Sequence, residues 1–414
     1  MAELKQSETN ILIIGAGPSG ALASALLNQA GIDVLVVEKQ TFPRFSIGES
    51  LLPQLMVFLE KANMLESVNE GKYQFKNGAA FRKNGKYSDF NFEHKFSSGP
   101  GTTFQVKRAD FDKRLADCAA DQGVNICYQH EVVHLEELKD GYLVKIKDEN
   151  SKIYQVKADF VLDASGFGRV LPRLLNLELP SDLPMRQSVF CHIKDNIMDK
   201  KYDREKILVS VHPKNTEVWY WLIPFSDGTA SIGVVAKPEF MSEITGDAEA
   251  KLKFCLSQES DLDLLLKDAE ILTQVQQING YSANVKSLFG KHFALLGNAG
   301  EFLDPVFSSG VTIAFKSADL ASSLLIKESQ GETVCWENEY AKPLMKGVDT
   351  FRAFVSAWYD GRLQDIIFHQ DASDDIREMV CSILAGYAWD EKNPYVQRPE
   401  RRINVLAEIC KKPN

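Results

Sequence analysis

Apolar and polar positions along this chain change rhythm several times, and each change marks a different element. Ile11–Ile14 is an unbroken apolar run, followed by Gly15, Gly17 and Gly20 and then by small and apolar residues to about Ala30. This predicts a buried strand, a tight turn and a helix, with Gly31 where a left-handed helix cap belongs. Asp33–Glu38 resumes the strand pattern and completes a strand–helix–strand unit of about 30 residues. Between 75 and 92 the pattern predicts a hairpin that turns at Asn84-Gly85, a dipeptide suited to two-residue loops. Residues 107–121 take helical spacing, and 141–165 return as strands ending in Val161-Leu162-Asp163-Ala164-Ser165-Gly166. From about 185 to 280 the period is mostly two, which predicts a large sheet. Residues 292–297 read as another buried strand, followed by a loop and a long helix from about Ser309. From about 335 onward the spacing is helical.

The glycine turn reads Gly15-Ala16-Gly17-Pro18-Ser19-Gly20, which fits G-x-G-x-x-G. Such glycines allow a tight turn and let backbone amides approach a pyrophosphate at a helix N-terminus. Glu38 closes the second strand 18 residues after Gly20, where an acid grips ribose hydroxyls. With a strand before, a helix after and the acid in place, a mere glycine turn is the weaker reading. The acid disfavours a 2′-phosphate, so FAD or NAD fits better than NADP.

The chain has 414 residues and a net charge of −10. That length suggests two or three domains, and the charge argues against nucleic acid and, more weakly, against anionic membranes. Seven cysteines are scattered without C-x-x-C spacing, and the seven histidines form no metal-ligand pattern. Reduced thiols in a cytoplasm fit better than disulfides or a metal centre. Met1–Asn10 is polar, and the apolar run from Ile11 is cut by glycines and Pro18, so neither a signal peptide nor a membrane anchor is expected.

The segment Phe42-Pro43-Arg44-Phe45-Ser46-Ile47-Gly48-Glu49-Ser50-Leu51-Leu52-Pro53 decides between the nucleotides. With Arg108-Ala109-Asp110-Phe111-Asp112, the Asp163–Gly166 strand end and Gly297-Asn298-Ala299-Gly300-Glu301-Phe302-Leu303-Asp304-Pro305, it resembles the FAD-binding scaffold of flavin monooxygenases. Within that superfamily the chain looks most like the flavin-dependent halogenases, which act on tryptophan, phenols and pyrroles. The resemblance covers residues 10 to about 325; the remainder matches only in being helical. Trp219, Trp221, Ile223 and Pro224 fit W-x-W-x-I-P, and Phe302, Pro305, Ser308 and Gly310 fit a second halogenase pattern. Lys76 falls where the family carries its catalytic lysine.

The resemblance implies an α/β fold: a Rossmann-like FAD-binding domain interleaved with a substrate domain on a large, mostly antiparallel sheet, plus a C-terminal helical region. The expected divisions are 8–72, 105–180 and 285–330 for the first, 73–104 and 181–284 for the second, and 331–414 for the third. Gly15, Gly17, Pro18, Ser19, Gly20, Glu38, Lys39, Arg44, Ser50, Arg108, Gly297, Asn298 and Asp304 are implied as cofactor-binding. Ser308, Ser309 and Gly310 are implied to hold chloride or bromide. Side chains alternate along a strand, so Trp219, Trp221 and Ile223 share a face; the family reading, together with Pro224, makes it a wall that bars organic molecules from the flavin. FADH2 from a separate reductase, oxygen and halide would yield hypohalous acid, which reaches Lys76 and halogenates an electron-rich ring. The substrate would be a small aromatic, free or tethered to a carrier protein.

Each motif also has a plainer reading. The tryptophans could be core packing, Ser308–Gly310 a helix start, and Lys76 a solvated loop lysine. Two departures matter. Asn298 stands where the scaffold usually has aspartate. Phe307 stands where tryptophan halogenases carry a glutamate, which points to a phenol or pyrrole instead of tryptophan. No histidine is singled out as the base. An FAD-dependent aromatic hydroxylase or reductase using NAD(P)H directly is the second reading, and a non-catalytic flavin-binding partner the third.

Overall fold

The computed structural model describes residues 6–369 and 373–411. Strand Gln6–Ile14 lies between Val34–Glu38 and Ile153–Asp163, parallel to both, in a sheet that continues to Asn125–Tyr128 on one side and Phe293–Leu295 on the other. Parallel strands buried on both faces need continuous apolar runs, and Leu12, Ile13, Val36, Val37, Val161 and Leu162 supply them. Helix Pro18–Gln29 and the long helix Gly310–Ser329 pack against each other beside this sheet. Gly31 takes φ +78° immediately after the first helix, as its position in the pattern predicts.

The second sheet is mostly antiparallel: Gln187–Lys194, Thr229–Ala236, Trp219–Pro224, Lys206–Val211, Gly78–Lys83 and Lys86–Asn91, in that order. Only the contact between Lys206–Val211 and Gly78–Lys83 is parallel. The hairpin turns at Asn84 and Gly85, both with positive φ. Strands from residues 78–91 and 187–236 therefore share one sheet across a long stretch of intervening sequence.

The region 185–280 is not all strand. Helices Pro238–Ser242, Ala248–Gln258 and Ser260–Leu265 interrupt it, the second capped by Asp247 accepting from the Ala250 amide at 2.9 Å. Leu252, Cys255 and Leu262 cover one sheet face, with Leu208, Tyr220, Leu222, Ile232 and Val234 beneath them. The other face, with Phe81, Val209, Trp219, Trp221 and Ile223, belongs to the main core shared with the helices after residue 335. Among the described residues no helix is long and apolar enough to cross a membrane.

Candidate active site

At the glycine turn, Gly15 has φ +99°. A methyl built on it would lie 2.7 Å from the Ala164 carbonyl oxygen, and one on Gly20 would lie 1.9 Å from that of Gly15. Side chains at either place would force the turn open. Gly17 precedes the helix without a side-chain cap and Pro18 opens it, so the amides of Ser19 and Gly20 sit at an anion-seeking helix start. Glu38, nearly buried, accepts from the amides of Ala16 and Gln40, both at 2.9 Å. These bonds fix the carboxylate beside the turn while each oxygen keeps a lone pair for a ribose hydroxyl. Arg44 completes the cradle: its Nη2 lies 3.4 Å from a methyl built on Gly17, and its guanidinium stacks on Phe42 at 4.8 Å.

Other expected cofactor residues stand further back. Arg108 grips Asp112 with two nitrogens, at 2.7 and 3.0 Å, and donates to the Ile47 carbonyl at 2.6 Å. It braces the segment that carries Arg44. Lys39 faces solvent and pairs with Glu131 at 2.6 Å. Gly297, with φ +52°, begins a short turn that brings the Asn298 amide oxygen to 3.9 Å from a methyl built on Gly310. Asn298 thus stands at the start of the long helix.

Trp219 and Trp221 lie side by side on the core face of their strand, centroids 6.0 Å apart, with 1% and 5% exposure. Opposite Trp221 stands Gly233, where a methyl would come within 2.3 Å of the indole. That glycine lets the ring lie against the neighbouring strand. Trp221 packs on Phe190 at 5.8 Å, and Phe190 stacks on Phe45 of the Arg44 segment at 5.9 Å. Ile223 continues the buried face and Pro224 ends the strand. The face is core packing and, at the same time, continuous with the nucleotide-binding side.

Lys76 is 0% exposed. It ends strand Gln74–Lys76, which pairs with Thr103–Gln105, and its amine reaches past that strand to donate to Ser50 Oγ at 2.8 Å and the Leu51 carbonyl at 2.7 Å. The ring of Phe92 lies 5.4 Å away. Both bonded partners are neutral oxygens, so burial goes uncompensated and pushes the amine down to about 7. The plain reading of Lys76 as a solvated lysine does not describe this side chain. The Ser50 hydroxyl oxygen accepts from the lysine, which leaves its own O–H free to donate.

The segment beyond Leu51 runs against the long helix: a methyl on Gly386 would meet Gln54, Leu52 and Thr312 at 3.1, 3.2 and 3.5 Å. That helix follows the loop Asp304–Ser309. Ser308 is left-handed with φ 57°, and the buried Ser309 provides no side-chain cap, leaving first-turn amides such as that of Gly310 without intrahelical partners. Phe307 is buried against Phe354 and Trp358, at 6.5 and 5.9 Å. The Asp304 carboxylate, pushed up to about 6 by burial, accepts from the Tyr359 hydroxyl at 2.8 Å, which itself accepts from Trp219 Nε1 at 3.0 Å. This chain of bonds ties the tryptophan face to the loop.

Sequence reasoning missed Tyr359 and a second pair, His192 and Glu49. Glu49, 1% exposed, meets His192 Nε2 at 2.6 Å. Phe45 and Phe225 flank the imidazole at 5.9 and 5.3 Å. A carboxylate on Nε2 fixes the orientation of the ring. Only the period-two spacing of Phe190 and His192 hinted at an inward histidine; nothing in the sequence joins it to residue 49.

The family model described as FAD binding domain matches residues 8–252. Among curated proteins the chain is 26% identical to a 1H-pyrrole-2-carbonyl-(peptidyl-carrier protein) chlorinase of Pseudomonas fluorescens, over 98% of this chain and 95% of that one. It is 29% identical to the sulochrin halogenase of Aspergillus terreus over 79% of its own length, but spans only 64% of that protein. Among solved structures, a flavoprotein/dehydrogenase from Cytophaga hutchinsonii superposes with a TM-score of 0.95 at 40% identity, covering 98% of this chain and 99% of that one.

The Lys76 geometry predicts a pH signature in stability. Its folded pKa of about 7 lies below the ordinary 10.5, so between those values the unfolded chain binds the extra proton and stability rises with pH. Lys76→Met removes this contribution. The melting temperature of the variant minus that of the parent should therefore fall as pH is raised from 7 towards 10. A difference that stays flat in calorimetry across that window would show that the amine is not held neutral.

Proposed function

The chain belongs to the FAD-binding domain family of flavoproteins, and on that premise we propose that it is a flavin-dependent halogenase acting on an electron-rich aromatic ring. The observation that carries this reading is Lys76: a fully buried amine with only neutral hydrogen-bond partners, in one continuous interior with the tryptophan face and the Asp304–Gly310 loop. The names of two relatives, a pyrrole chlorinase and a sulochrin halogenase, support the same reading.

Gly15, Gly17, Ser19, Gly20, Glu38 and Arg44 would hold the dinucleotide, with Gly297 and Asn298 beside the long helix. Reduced FAD, with oxygen and chloride or bromide, supplies hypohalous acid when bound. The protein's own residues then set its fate. Trp219, Trp221 and Ile223 fill the core face and keep organic molecules away from the cofactor, so oxidising power leaves only as a small species. The first amides of the helix at Ser309 and Gly310 suit a halide. At Lys76 the neutral amine attacks the halogen of the acid; an N–X bond forms, the X–O bond breaks, and water leaves with the amine proton. The ring then takes the halogen from nitrogen, its displaced proton restores the amine, and no net charge is left behind. A pKa of about 7 keeps a substantial neutral fraction at neutral pH.

Phe307 offers a ring edge to Phe354 and Trp358. A carboxylate there would support positive charge building on an indole; phenylalanine cannot. A phenol activates itself on deprotonation, and a pyrrole is electron-rich enough without help. The substrate proposed is therefore a phenol of resorcinol type or, next, a pyrrole, free or carrier-bound. Electrons are proposed to come from a separate flavin reductase.

Two experiments test this. In the first, FAD, a flavin reductase, NADH, bromide and a panel of phenols are supplied, and products are read by mass spectrometry for halogen isotope pairs. The parent should give halogenated product, while Lys76→Ala should bind FAD and oxidise reduced flavin as before with product lowered at least 100-fold. Brisk NAD(P)H oxidation by the purified chain without the reductase, stimulated by an aromatic and giving hydroxylated product, would instead favour the hydroxylase reading. The second offers tryptophan, resorcinols and pyrroles at equal concentration. Phenol halogenation ortho or para to the hydroxyl should dominate; a wide margin for tryptophan would show that Phe307 does not set the substrate class.

A further inference from the structure

Beside the tryptophan face lies a buried cation that the scheme above does not use. Arg186, 2% exposed, precedes strand Gln187–Lys194. Its guanidinium lies 3.7 Å over the ring of Tyr359, and Nη2 donates to Glu217 at 3.1 Å. Nε and Nη1 are buried with no partner among the described residues. Glu217 is shared with Lys237 at 2.6 Å, so it does not neutralise Arg186 alone. The Arg186 carbonyl accepts from the Gly280 amide at 2.9 Å, which brings the next residue, Tyr281, alongside. Tyr281 is 9% exposed and its hydroxyl too has no partner among the described residues. Tyr359 cannot serve either group, because its hydroxyl is already committed to Trp219 and Asp304.

Buried donors are rarely left unpaired, and charged ones least of all. Three unmatched donor atoms on two neighbouring side chains, one of them a cation, call for a small guest that accepts hydrogen bonds from both. We propose that Arg186 and Tyr281 form a halide-binding site, adjoining the Asp304–Gly310 loop but separate from its amides, where chloride or bromide is held before it is consumed.

A monovalent sphere suits this position better than an oxyanion. The unpartnered donors sit on two different side chains, a guanidinium and a phenol, which a halide can accept without the planar match that a carboxylate seeks. The site is walled by Tyr359 and by Phe302, whose ring meets Tyr281 at 5.7 Å. Asp304 stands nearby; its oxygens accept from Tyr359 and from the Val306 amide at 3.0 Å, and among the described residues no hydrogen bond runs from Arg186 to it. The inference rests on the halogenase reading for its choice of ion, while the crystallographic arm of its test does not depend on turnover.

Crystals of the FAD-loaded protein, soaked in sodium bromide and measured at the bromine absorption edge, should show an anomalous peak in contact with Arg186 and the Tyr281 hydroxyl. Density there with no anomalous signal would mean water and would overturn the site. Tyr281→Phe deletes a hydroxyl that has no protein partner, so the fold should tolerate it. This variant should weaken the peak and raise the KM for bromide about tenfold without changing FAD affinity. An unchanged KM and an unchanged peak would overturn the assignment. A peak in a protein that makes no halogenated product would sink the halogenase reading and leave the anion site standing; product without a peak would do the reverse.

Discussion

A lysine amine withdrawn from water and given only two neutral oxygens is the most demanding element of this interior. Moving an ammonium out of water costs several kcal/mol even after relaxation, and among the described residues Lys76 meets no carboxylate that would offset it. The amine yields by giving up its proton near neutral pH. What it gains is position. Its bonds to Ser50 and Leu51 fasten strand Gln74–Lys76 to the segment that leaves the nucleotide-binding unit, and the intervening strand Thr103–Gln105 is bridged to both. The same two bonds therefore join the nucleotide-binding unit to strand Gln74–Lys76 and tune the group proposed to carry halogen.

Burial acts in the opposite sense at Asp304, whose carboxylate it pushes up to about 6. There the protein answers with donors from Tyr359 and Val306. The two solutions differ because the roles differ. Asp304 orders a loop and must keep its bonds, whereas the role proposed for Lys76 requires it to exchange a proton with what it binds. A buried ion pair at Lys76 would have held the amine charged and non-nucleophilic.

The nucleotide-binding unit was legible because its signals are local. The glycine turn, Glu38 and the cap at Gly31 lie within one short stretch, and the hairpin at Asn84-Gly85 is set by its own turn. The helices between 238 and 265 were not legible. In Ala248–Gln258 only Leu252 and Cys255 are buried, while Phe254 is 47% exposed, so the apolar positions trace no clean helical stripe. Lys76 could be singled out by resemblance to a motif, but its burial could not, since its partners come from residues 50 and 51. Arg186, Tyr281 and Tyr359 were out of reach for the same reason. They converge from three distant segments, one of them in the C-terminal region where the sequence offered helical spacing and nothing more.

The tryptophan face shows why the plain and the chemical readings of a motif need not compete. Trp219 and Trp221 are as buried as any core residue, and Gly233 is shaped to receive one of them. In the proposed role as a shield, a face that packed less well would rotate and admit the molecules it excludes, so rigidity would turn bulk into selectivity. Trp219 is fixed further by its bond to Tyr359, which answers in turn to Asp304 and lies beneath Arg186. The wall, the loop and the buried cation are therefore one hydrogen-bonded and stacked assembly.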